Sequence, residues 1–269
     1  MLQHTITQIS LTLEKITCFG KTTKRLILSL QIAYEIIMAN RPVYLPNPKN
    51  TYPGVDIKNI DFKWFPGLSK SQKQKSILSL HEAASKLNIN LLLEISSKSE
   101  CEFGVNLSAF NLMIPMRNQL NSFSVETAFQ SSKVFQNGGP YLDLLQGSSQ
   151  QAKKDSRLKE SGDLVGFQFF NKEFGIKPRT FFYDWLYINA LHKNVLLAHK
   201  VTEYQGFTDI EFNPKRSFNC QAYSVALYFS LVEYKCLNEA LNSPKSFQQV
   251  LKKEYAKRDS NMAVQSSLL

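Results

Sequence analysis

A chain of 269 residues, 43% of them hydrophobic, can bury one large core or two small ones, so composition excludes a disordered or low-complexity protein. The formal charge of +10 and a pI near 9.3 favour a polyanionic partner, nucleic acid first among them. Four widely spaced cysteines and four histidines give neither a disulfide framework nor zinc-ligand spacing, which points to a reducing cytoplasm, no metal and no cofactor.

Residues 1–37 contain two look-alikes. Gly20-Lys21-Thr22 resembles the end of a phosphate-binding loop, but Lys15 stands where that pattern requires glycine. The basic Lys21 to Arg25 and the apolar Leu26 to Met38 imitate a signal peptide, yet Gln31 and Glu35 interrupt the run and no cleavage site follows. The run is also too short to span a membrane. The expectation is that Met38 is the natural start and that 1–37 is an upstream extension of the reading frame. Intact mass from the native host would contradict this if those residues were present.

From Arg41 the chain reads as extended pieces, Val43-Tyr44-Leu45 and Val55 to Trp64, the latter with period-two alternation. Ser69 caps a predicted helix from Ser71 to Leu87 whose first turns carry Lys70, Lys73 and Lys75. Asn90 to Ile95 and Phe103 to Phe110 read as two further strands, so 41–112 is a small β-rich layer with one helix. Gly104, Asn106, Ser108 and Asn111 suit either a ligand loop or simple turns.

Ser124 to Lys133 has few helix breakers, a capping serine and an early Glu126, and is predicted to be a helix. At about 3.6 residues per turn, Glu126, Phe129, Gln130 and Lys133 then share one face. A break at Gly138-Gly139-Pro140 precedes a short helix, Tyr141 to Leu145. The lysine-rich Gln150 to Lys159 is either a surface loop or a solvated helix face. Thr180 to Leu197 reads as an aromatic core helix. Thr208 to Pro214 alternates, with Asp209 and Glu211 on one face of an extended segment, and Cys220 to Leu237 is a final apolar helix. After Ala240 the chain turns polar, and Lys252 to Ser267 is expected to fray into a tail. The fold class is α+β, mainly helical. The expected division is 1–37 as extension, 38–240 as the domain, and 241–269 as C-terminal helix and tail.

Two carboxylates, Glu126 and Asp209, an amine, Lys133, and an indole, Trp185, are the parts that glycosidic-bond chemistry uses: proton transfer, water activation or diol binding, and stacking. None of these spacings is diagnostic alone.

Ser-Val-Glu-x-x-Phe-Gln-x-x-Lys at 124–133 resembles the signature helix of the NADAR family, the YbiA-like N-glycosidases. Leu-Ser-Ala-Phe-Asn at 107–111 and Asp184-Trp185 resemble further segments of that family in the same order. Arg41-Pro-Val, Lys63-Trp-Phe-Pro-Gly, Gln72 to Ile77, Phe207 to Pro214 and Asn219-Cys-Gln-Ala are similar to the NADAR antitoxins paired with DarT-type toxins. The resemblance runs from about Arg41 to about Leu237. It departs at Thr127, where many members have histidine, and at Ile210-Glu211-Phe212, which replaces Trp-Gly.

The resemblance implies a single NADAR-like domain that removes ADP-ribose from guanine in DNA and reverses a toxin's modification. The implied catalytic residues are Glu126, Lys133 and Asp209, with Glu211 the alternative second acid. Substrate contacts fall to Trp185, Asp184, Phe110, Ser108, Gly104, Phe129 and Glu211. Lys133 is either the nucleophile or a phosphate-binding cation. The expected DNA surface is Lys70, Lys73 and Lys75 with Lys153 and Lys154. The expected partners are ADP-ribosylated DNA, ADP-ribose as product and the cognate toxin, with no membrane. Two other functions stay open: an antitoxin that blocks its toxin by binding alone, and a hydrolase of a small ribosylated metabolite.

Overall fold

The alternation at Val55 to Trp64 forms one arm of a long hairpin: β1 (Met38–Pro46) pairs antiparallel with β2 (Val55–Lys63), with Met38 opposite Lys63 and Pro46 opposite Val55. The structure is a computed structural model that describes residues 38–47, 51–115, 122–214 and 217–267, with side chains to residue 260. Expectations for residues 1–37 lie outside the described residues. The hairpin joins β3 (Leu92–Glu94) and β9 (Gly206–Thr208) in one sheet of order β2-β1-β9-β3, in which β3 and β9 are parallel.

Helix α1 (Lys70–Ser85) is capped by Ser69, which accepts the Gln72 N–H, and it covers one face of this sheet. Ile77, Leu80 and Ala84 of α1 pack there on Val43, Ile60, Phe62 and Ile210. The opposite face meets α8 (Gln221–Glu233), with the Tyr223 ring edge-on to Tyr44 at 5.6 Å.

The segment expected as a strand at Phe103 to Phe110 is instead α2 (Glu102–Asn106) followed by turns. Its apolar residues fit both periods. The structure buries Phe103 and Leu107, four apart, and leaves Val105 half-buried, which is helical spacing. After the two-residue strands β4 (Met113–Ile114) and β5 (Phe123–Ser124) comes α3 (Val125–Ser131), then β6 (Lys133–Phe135) and a 3-10 turn, Leu142–Gln146. The lysine-rich stretch is helical, as α4 (Ser149–Lys154) and α5 (Arg157–Glu160). Strands β7 (Leu164–Phe169) and β8 (Lys172–Phe174) complete a three-stranded sheet with β6.

The aromatic helix divides into α6 (Phe181–Lys193) and α7 (Val195–Val201) at Asn194, whose side chain donates to the carbonyls of Ala190 and Met113. Helices α9 (Leu237–Leu241), α10 (Pro244–Val250) and α11 (Lys252–Ser267) follow α8. The expected fraying of α11 does not describe its first turns. Tyr255 is buried, Glu254 accepts from the Tyr223 hydroxyl at 2.6 Å, and Arg258 reaches the fully buried Asp184 at 3.1 Å. The fold is α+β and mainly helical, with a sheet layer at its N-terminal side.

Candidate active site

Every residue of α3 is buried. Ser124 caps it by accepting the Thr127 N–H at 3.0 Å, and Glu126 in the first turn sits where the helix dipole favours a carboxylate. The Glu126 amide donates to the Ala109 carbonyl at 2.8 Å, tying α3 to the loop before β4. Its carboxylate accepts from Gln130 Nε2 at 2.9 Å, one turn on, and lies 3.8 Å from Lys153 Nζ.

The helix is shorter than the sequence suggests. Ser131 and Ser132 hydroxyls both bond to the Ala128 carbonyl, and such local bonds compete with helical propagation. Lys133 therefore begins β6, opposite Phe167, and does not share a helical face with Glu126. Gly139, at φ +84°, folds the chain back on Lys133, where a Cβ would strike the Lys133 carbonyl oxygen. Lys133 stays within electrostatic reach of Glu126 without forming an ion pair with it, its side chain turned over the Phe129 ring with Nζ 5.1 Å from the centroid. Burial lowers the Lys133 pKa; the Glu126 charge opposes that shift and the Lys153 charge adds to it.

Lys153, expected on the DNA surface, is thus part of this cluster. Ser149, one turn earlier on α4, bonds to Ser124 Oγ at 2.7 Å and to the Phe110 carbonyl at 2.8 Å. That anchoring holds Lys153 Nζ 4.9 Å from the Phe110 ring centroid as well as beside Glu126. Arg157 holds the following turn down by pairing with Asp143 and Asp155 and stacking on Tyr141 at 4.4 Å. Lys154 is exposed, as are Lys70 and Lys75. Lys73 is half-buried, 3.3 Å from Glu211.

The acidic segment is a turn and not an extended strand. Asp209 Oδ1 accepts the N–H groups of Glu211 and Phe212, both at 3.1 Å, which bends the chain and sends the two acids apart. Asp209 is buried and Glu211 faces solvent. Glu94 clamps the same turn, accepting the Ile210 N–H at 2.8 Å and the Thr208 hydroxyl at 2.7 Å. Since Thr208 spends its proton on Glu94, His81 Nε2 must donate to Thr208 Oγ1 across 2.8 Å. Burial pushes the His81 pKa down to about 4, which keeps that ring neutral. Asp209 is pushed well above the usual carboxylate range, first by burial and then by the Glu94 charge. Tyr183 connects the two halves: its pKa is raised by burial, then by the Glu126 charge, with Asp209 contributing too.

Several expected contacts are occupied by structural work. Asp184 is fully buried and committed to Arg258, Ser224 and Tyr255. Gly104 lies inside α2, its Cα face pressed on the Glu94 carbonyl and Ser99. Ser108 donates to the Val105 carbonyl and accepts from Asn111, so these polar residues make the turn. Trp185 is withdrawn into the aromatic core, 5.0 Å from Phe174 and 6.4 Å from Phe169, with Lys172 over its ring. Its Nε1 is buried without a hydrogen-bond partner among the described residues. Phe129 is likewise a core ring, 5.1 Å from Tyr183 and 5.5 Å from Phe167.

Sequence reasoning missed Tyr183, Glu94 and His81, and it grouped Lys153 with the DNA contacts and not with Glu126. Gln221 belongs with them, since it accepts the Ala109 N–H at 2.7 Å and donates to the Ile95 carbonyl at 2.6 Å, fixing the loop that carries Phe110. Only Gln221 stood in a segment that sequence comparison could single out. Among the described residues no group of His, Cys, Asp and Glu is placed to hold a metal ion. No helix among them is long and apolar enough to cross a membrane.

A family model described as the DarT1-associated NADAR antitoxin matches residues 39–261. The chain belongs to that family. No curated protein matches it.

Proposed function

We propose that this antitoxin is an N-glycosidase that removes ADP-ribose from guanine bases in DNA and so undoes the modification made by its toxin. One observation carries the reading: a half-buried amine whose pKa burial depresses, Lys133, lies within the electrostatic reach of a buried carboxylate, Glu126, on the segment that bears the family's motif.

Ribose attached through an exocyclic amine opens when its ring oxygen leaves C1 and takes a proton, giving a C1=N imine to guanine. The free Lys133 amine adds to C1. Glu126 takes a proton from the attached Nζ and passes it to the guanine nitrogen, and a second proton follows the same route as the C1–N bond breaks, so that guanine departs as its amine and a C1=Nζ imine forms. Water adds to C1, Glu126 takes back a proton, and Lys133 leaves as the amine, releasing ADP-ribose that closes to its ring form. Lys153 holds the Glu126 carboxylate in place. Asp209, buried and held above the usual carboxylate range, is favoured over the exposed Glu211 as the second acid and as the partner of a ribose hydroxyl. Exposed Lys70, Lys75 and Lys154 supply phosphate contacts to DNA, which makes binding weaken with salt.

The test is incubation with an oligonucleotide carrying ADP-ribosylated guanine. Released ADP-ribose together with unmodified DNA is the expected result, and intact substrate would contradict it. A Glu126→Gln variant separates catalysis from toxin occlusion: it should lose release and fail to protect cells. Full protection by a variant that releases nothing would mean that binding the toxin suffices.

A further inference from the structure

Arg41 lies on the face of β1 that α1 covers, opposite Ile60. Its guanidinium carbon is 5.5 Å from the Trp64 ring centroid, and Lys73 Nζ, from the start of α1, is 4.8 Å from the same centroid. Two cations therefore share one half-buried indole. Among the described residues, Lys73 pairs with Glu211, but Arg41 pairs with no acid. Arg41 Nη1 donates to the neighbouring Asn40 carbonyl at 2.9 Å, and its Nε is buried with no partner. Burial lowers the Arg41 pKa. Native proteins meet buried donors of this kind with protein atoms, water or an ion, because leaving them unmet is costly.

We propose that Arg41 and Lys73, braced on Trp64, form a phosphate-binding clamp at the edge of the acid turn. The group it takes is either the pyrophosphate of ADP-ribose or a phosphodiester of the DNA backbone. The chemistry fits: a planar guanidinium fork and a compact ammonium lie against the same indole, and together they are the pair of groups that recognises phosphate oxygens. Position fits as well, since Glu211, the present partner of Lys73, donates its own N–H to Asp209. A ligand whose ribose hydroxyls meet Asp209 brings its phosphates, or those of its DNA strand, within reach of this spot. The exposed Glu211 side chain then swings away, because it competes with the phosphate for Lys73. The choice of phosphate as the anion rests on the glycosidase reading, whereas the unmet charge does not.

Only two tryptophans are present, so the Trp64 indole N–H gives a separate NMR signal, assigned with Trp64→Phe. The protein is titrated with inorganic pyrophosphate, ADP-ribose and a short unmodified single-stranded oligonucleotide. Pyrophosphate should shift this signal, Lys73→Met should weaken that response about tenfold or more, and Arg41→Lys, which keeps the charge but loses the fork, should weaken it less. Glu211→Gln should tighten it. A response to ADP-ribose well below the pyrophosphate range assigns the clamp to the sugar nucleotide, and a response to the oligonucleotide without one to ADP-ribose assigns it to the DNA backbone. No response to any probe, or one that Lys73→Met leaves unchanged, overturns the clamp and makes the cluster a structural cation–aromatic contact. Because binding is read directly, a protein that shifts the signal but releases no ADP-ribose would refute the reaction and leave the clamp standing.

Discussion

Removing Arg258 tests whether the last helix is part of the core or an appendage. The Arg258 side chain is 12% exposed and Asp184 is fully buried, 3.1 Å apart. The guanidinium also donates to Thr180 Oγ1 at 2.7 Å and to the Phe218 carbonyl at 3.0 Å, and it lies 3.8 Å over Tyr223. Arg258→Met leaves the Asp184 charge with hydroxyl partners alone, Ser224, Thr180 and Tyr255. Breaking a buried pair by deleting one partner costs about 3–5 kcal/mol. For a domain of this size that lowers Tm by about 10 °C. The sign with pH follows from Asp184, whose pKa burial raises even with Arg258 opposing. Without Arg258 the carboxyl keeps its proton to still higher pH. A group whose folded pKa is raised stabilises fully below its unfolded pKa, and that contribution is lost as pH rises through the folded value. The deficit of the variant is therefore largest at neutral and alkaline pH and shrinks toward pH 4. Adding Asp184→Asn should recover much of it. Thermal and urea unfolding across pH read all three. A loss under about 1 kcal/mol, or one independent of pH, would refute the buried-pair reasoning.

Asp209→Asn should raise stability at pH 8 and matter least near pH 4, because burial and Glu94 hold the acid above its usual pKa and its ionisation opposes folding as pH rises; unfolding midpoints at the two pH values decide this. The same variant should release ADP-ribose more slowly. Gly104→Ala should destabilise by about 1–3 kcal/mol, since its methyl would overlap the Glu94 carbonyl and Ser99 and disturb the clamp on the acid turn; an unchanged urea midpoint would contradict that packing. Single-turnover release should increase with pH as Lys133 loses its proton, with the rise centred below the ordinary amine value of 10.5 because burial lowers the pKa. A rise centred at or above that value would show that the site does not tune the amine.

The sequence carried the two extended arms of the hairpin though not their pairing, α1 with its Ser69 cap, the aromatic helix and the capped start of α3, because each rests on local periodicity or on a residue that bonds its own neighbours. Phe103 to Phe110 was ambiguous for a physical reason: apolar residues at alternate positions also include an i, i+4 pair, and only tertiary burial chooses between strand and helix. The site was legible as Glu126 with Lys133, though their meeting depends on β6 and Gly139 and not on helix geometry. Lys153 is exposed, as a lysine run suggests, but nothing local shows that Ser149 pins its helix to Ser124 and Phe110 and so sets the amine near Glu126. Asp184 beside Trp185 looked like a ligand pair, whereas its partner Arg258 lies 74 residues away, beyond any motif's reach. The His81–Thr208–Glu94 chain joins three distant segments and was invisible for the same reason.

The most direct measurement is reduction of the reaction in progress. The protein is mixed with an oligonucleotide bearing ADP-ribosylated guanine, borohydride is added, and the trapped adduct is located by peptide mass spectrometry. The mechanism predicts ADP-ribose fixed through a stable amine at Lys133, with no adduct in Lys133→Ala. An adduct that survives in Lys133→Ala, or its absence from a wild-type reaction that releases ADP-ribose, would contradict the imine.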